Sequence, residues 1–116
     1  MLFRSAHFQK ALQIAPANPT IQTSVAWLLA TAPEASLRNG NQAVELARQA
    51  NTMTGGENPL ILHTLAAALA EAGQFPEALT TAQHALHQAE AQSNKSLAGQ
   101  LQAELKRYEG GHPLHQ

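Results

Sequence analysis

The chain has 116 residues, with 7 Lys+Arg against 8 Asp+Glu and a formal net charge of −1. That length fits one domain, and without a basic excess the chain lacks the electrostatic footprint of nucleic-acid binding. The absence of cysteine excludes disulfides, thiol nucleophiles and Cys-ligated zinc, and five Val plus Ile against 23 Ala argue against a β fold.

Met1-Leu2-Phe3-Arg4 does not read as a signal peptide, because the charge follows the apolar residues and Lys10 interrupts what comes next. This slightly favours the cytoplasm and leaves the compartment open. No apolar run approaches the ~18 residues of a membrane span. Apolar residues at helical spacing predict six helices, over 2–15, 20–31, 40–53, 59–72, 75–91 and 95–108. Asn18-Pro19 and Asn58-Pro59 read as helix starts, since Asn accepts an orphan backbone N–H and Pro lacks one that would go unpaired. Gly73 and Gly110-Gly111 read as stops, where a left-handed residue suits glycine. Thr31–Asn41 is too long for a tight turn, and Pro33 could open one helical turn there with Leu37 tucked inward. Leu62, Leu65, Ala66 and Leu69 form the cleanest apolar face, on the helix over 59–72. Leu97, Ala98, Leu101, Leu105 and Tyr108 form another over 95–108, with Gln100, Gln102, Glu104, Lys106 and Arg107 around them. Small residues at contact positions let helix axes approach the ~8 Å lower limit of packing distance.

The chain repeats itself. At an offset of forty residues, Leu65 falls on Val25, Ala66 on Ala26, Leu69 on Leu29 and Ala70 on Ala30. At an offset of thirty-five, Ala78 falls on Ala43, Leu79 on Val44, Ala82 on Ala47 and Ala85 on Ala50. Residues 59–92 resemble the tetratricopeptide repeat (TPR) family, whose unit is ~34 residues. Leu62, Leu65, Ala66 and Leu69 match its first helix, Gly73 and Phe75 its turn, and Ala78, Ala82 and Ala85 its second helix. Its closing Pro is replaced by Glu90, although Pro16 supplies one before Asn18-Pro19. Further along, Ala26–Thr31, Pro33, Arg38-Asn39-Gly40 and Thr64–Ala68 resemble the C-terminal repeat segment of larger bacterial proteins.

The resemblance implies an all-α, TPR-like solenoid of about two and a half helix-turn-helix units plus a C-terminal capping helix. It would occupy residues 1–109 and be followed by a flexible tail, 110–116. The polar residues of 95–108 suit a cap that turns outward, while the other end has none. Phe3, Phe8 and Leu12 there imply either the end of a longer array or self-association into a homodimer.

The same resemblance implies a concave groove lined by first helices, holding a peptide or helix of another protein. Its positions fall on Thr20, Thr23, Trp27, Ala30 and Thr31, then on Leu60, His63, Ala67, Ala70 and Glu71. Trp27 is the only Trp and combines a broad apolar face with one N–H donor, a type favoured at binding hot spots. A structural spacer or oligomerisation segment of a larger repeat protein is the alternative. None of Thr23, Ser24, Thr31, His63, Thr64 or Glu71 is Lys, Arg or Asn, so a clamp for acidic C-terminal tails is not expected.

Catalytic signatures are not found. His84 and His87 share a helix face but lack a third ligand, so neither metal nor cofactor is expected. There is no His-Glu-x-x-His, no nucleophile turn and no Gly-rich phosphate loop. A non-enzymatic role follows as the expectation.

Overall fold

The structure, a computed structural model, describes residues 18–115. Five α-helices run through it: α1 (Pro19–Thr31), α2 (Gly40–Met53), α3 (Pro59–Glu71), α4 (Phe75–Ala91) and α5 (Lys95–Glu109). A 3-10 turn over Ala35–Leu37 lies between α1 and α2. No strand occurs among the described residues. The helix expected over 2–15, and with it the self-association surface at Phe3, Phe8 and Leu12, lies outside the described residues. The other five expected helices match to within one residue at each end.

Local chemistry explains the starts. The side chains of Asn18, Asn58 and Asn94 accept from the backbone N–H groups of Ile21, Leu60 and Leu97 at 3.1, 3.0 and 3.1 Å. Asn39 does the same for Gln42 at the start of α2. Each bond satisfies one of the orphan donors of a first turn. Asn94 is an unforeseen member of the set and stands 36 residues after Asn58.

The stops follow one pattern. Gly73 has φ +82, and the N–H of Gln74 reaches back to Leu69 O at 2.8 Å. Ser93 has φ +58, with Asn94 N–H on Ala89 O at 2.8 Å. Gly111 has φ +74, with His112 N–H on Arg107 O at 2.9 Å. These are left-handed caps that bond the last carbonyls of a helix, and Ser93 holds one without glycine's freedom.

Packing runs in chain order. α1 lies on α2 and α3, α2 on α3, α3 on α4, and α4 on α5, with a lighter contact between α3 and α5. This order is consistent with an α-helical repeat, although α5 meets α3 far less than α3 meets α1. The core is mostly alanine: Ala26, Ala43, Ala47, Ala66, Ala78, Ala82 and Ala85 are wholly buried. Every residue from Ile61 to Ala70 is buried, because α3 packs against the four other described helices and its sequence is mostly apolar. A Cβ on Gly40 would stand 2.7 Å from the backbone N of Ala72, so α2 begins in direct contact with the end of α3.

The segment between α1 and α2 is used internally. Asn39 N–H bonds Leu29 O at 2.8 Å. Arg38 Nη1 donates to Ala32 O at 2.7 Å and to Pro33 O at 3.3 Å. Its Nε lies 3.5 Å from Glu71 Oε2. Leu37 is half-buried.

Residues 110–115, read from the sequence as part of a flexible tail, turn back onto the helices. Arg107 donates to Pro113 O at 3.0 Å, Leu114 rests against the apolar core, and His115 Nε2 lies 2.7 Å from Glu71 Oε1.

Candidate functional site

A cleft of about 790 Å³ opens between α1 and α3, closed at one side by Gln100 of α5 and at one end by Thr54. Of the expected groove residues, Thr20, Thr23, Trp27, Leu60 and His63 line it. Ser24, Leu28, Asn58, Ile61 and Thr64 complete its walls. Leu60 is 56% exposed, an unusual state for so large an apolar side chain on so buried a helix. No Lys, Arg, Asp or Glu is among the described lining residues.

The remaining expected positions are elsewhere. Ala30, Thr31, Ala67 and Ala70 are buried. Thr31 donates its hydroxyl to Trp27 O at 2.7 Å, an internal bond that leaves no hydrogen to offer a guest. Glu71 lies at the far end of α3, between Arg38 and His115.

The distinctive part of the cleft is its inner wall. The rings of Trp27 and His63 are 4.8 Å apart between centroids and inclined by 31°. His63 is 7% exposed, and its Nε2 lies 2.8 Å from Oε1 and 3.1 Å from Oε2 of Glu104. Glu104, also 7% exposed, comes from α5. One aromatic–imidazole–carboxylate series therefore links α1, α3 and α5. A buried carboxylate is tolerated where it is paired and hydrogen-bonded, and this one fixes the imidazole against the indole.

Sequence reading assigned Glu104 to an outward polar face. The structure corrects this: α5 docks with Glu104 turned in beside Leu101 and Tyr108, and with Gln102, Lys106 and Arg107 exposed. The one available signal was the interval from Asn58 to Asn94, which places α5 in the register of a first helix. Tyr108 is 1% exposed, and its hydroxyl has no hydrogen-bond partner among the described residues. Burial pushes the Tyr108 phenol pKa up, the nearby Glu104 carboxylate adds to that, and Arg107 opposes it.

The histidines do not gather. His84 Nε2 is 3.0 Å from Glu57 Oε2, which also accepts from Gln88 at 2.6 Å, while His87 is exposed. Among the described residues, no three His, Cys, Asp or Glu side chains converge as a metal site would require. No described helix is long and apolar enough to cross a membrane. Comparison with family models, with curated proteins and with solved structures gave no match for this chain.

Proposed function

We propose that this chain is a non-catalytic interaction module, a TPR-like solenoid whose cleft between first helices holds a peptide or helix of another protein. The observation that carries the reading is the cleft itself, walled by Trp27 over a clamped His63 and rimmed by Thr20, Ser24 and Gln100. Apolar and aromatic walls with a few convergent polar groups are the usual make-up of a recognition site. Rigid aromatic anchors supply much of the affinity at such surfaces. Leu60 adds exposed apolar area at the rim. The repeated Asn caps and the chain-order packing support the solenoid, and the residue pattern of 59–92 supports its likeness to the TPR family.

The test is affinity capture from a native lysate with the intact chain and with Trp27→Ala. With folding preserved by circular dichroism, loss of at least one reproducibly captured protein, by about tenfold or more, is expected from a hot spot worth ~2 kcal/mol. Unchanged capture by the folded variant would leave the spacer reading in its place.

A further inference from the structure

The cleft at Trp27 is only part of the surface that the sequence marked as a groove; the expected positions toward the C-terminal end of α3 end at Glu71. That end is occupied. Glu71 on α3 and Arg107 on α5 are 36 residues apart, the interval that separates Asn58 from Asn94 and Leu65 from Leu101. The two side chains therefore hold equivalent places on neighbouring first helices. The segment after Gly111, which has no regular secondary structure, crosses both of them. Arg107 takes its backbone at Pro113 O, and the His115 ring reaches Glu71 Oε1 at 2.7 Å. Between these contacts Leu114 rests on the core. The first contact is local, six residues apart along the chain, and the second carries the segment from the end of α5 to the end of α3, 44 residues away.

We propose that His112–His115 is a built-in occupant of the surface at the C-terminal ends of α3 and α5. A partner that reaches from the cleft over this surface must then displace it with an irregular segment of the same chemistry: an apolar side chain followed directly by a basic one. The apolar requirement comes from the seat of Leu114. The basic requirement comes from Glu71, whose other oxygen faces Arg38 Nε at 3.5 Å. The guanidinium Nη1 of that arginine donates to Ala32 O and Pro33 O, which leaves Glu71 Oε1 to His115. A tether of a few residues gives a roughly millimolar effective concentration, so the segment holds its seat against free peptides and yields to a partner anchored also at Trp27. This second part rests on the interaction-module reading; the occupancy itself does not.

The test uses a synthetic peptide of residues 111–116, Gly-His-Pro-Leu-His-Gln, titrated in trans and followed by amide NMR shifts. Two forms of the chain receive it: one ending at Gly111, and a full-length Leu114→Ser/His115→Ala variant that keeps the segment but removes its grip. Saturable shifts near Glu71, Arg38 and Arg107 are expected in both, with a response at least ~10-fold weaker in the intact chain because its own segment competes. The same peptide with lysine for its second histidine should bind, and the analogue with glutamate there should not. Equal response of intact and altered chains, or no saturable shift in either altered form, overturns the occupancy. Preference for the glutamate analogue overturns the partner chemistry. Should these fail while Trp27→Ala still loses its captured protein, the inference falls and the interaction-module reading stands.

Discussion

Single residues carry unequal shares of this molecule. Tyr108 is a large side chain sunk to 1% exposure with an unpartnered hydroxyl, so its ring stabilises while its oxygen costs. Tyr108→Phe should therefore leave stability near neutral pH unchanged or raised, by up to about 1 kcal/mol. The pH sign follows from the raised phenol pKa. The folded state keeps its proton while the unfolded chain loses it above about pH 10, so wild-type stability is fully present below that pH and declines above it. Urea midpoints at pH 9 and pH 11 measure this, with a limiting slope near 1.4 kcal/mol per pH unit from this one group. The Phe variant should lose that component of the decline; an equally steep fall in both would show that Tyr108 is not its source. His63 is the opposite case, since its imidazole is matched by Glu104 on one side and Trp27 on the other.

At the scale of helices and connections, Gly40 fixes how α2 meets α3. Its missing Cβ admits Ala72 N to within 2.7 Å of where that atom would be. Gly40→Ala must push the start of α2 off the end of α3, and overpacking of this kind costs roughly 1–3 kcal/mol. A thermal midpoint lower by about 4–8 °C per kcal/mol is expected by calorimetry; an unchanged midpoint would mean that the contact is slack. The elements themselves were legible from local signals. Asn18-Pro19, Asn58-Pro59, Gly73 and Gly110-Gly111 punctuate the chain, and Ala/Leu spacing fills the intervals. Asn94 escaped notice because no proline follows it, and Ser93 because a left-handed serine has no sequence mark. The cleft was half legible. Thr20, Thr23, Trp27, Leu60 and His63 are named by the family resemblance, and all five line the cleft. The burial of Thr31, Ala67 and Ala70 and the inward turn of Glu104 depend on how the helices pack together, which composition does not encode. The contact of His115 with Glu71 joins segments 44 residues apart, which two glycines alone do not announce.

Over the whole molecule, stability should grade with the number of neighbours each helix has, as in stacked repeats where each unit leans on the next. α3 touches all four other helices. Its amides from Ile61 to Ala70 should exchange with deuterium most slowly, at the free energy of global unfolding, and those of α5 should open at lower cost. Equal protection along the chain would indicate one indivisible cooperative unit. The meeting of α1 with α3 also gives the protein a native optical sensor. Its single indole lies 4.8 Å from an imidazole at a solvent-accessible wall, so a guest that settles against it must change the polarity and the quenching that this one fluorophore experiences. Emission from the unlabelled chain would therefore report any ligand that occupies this wall.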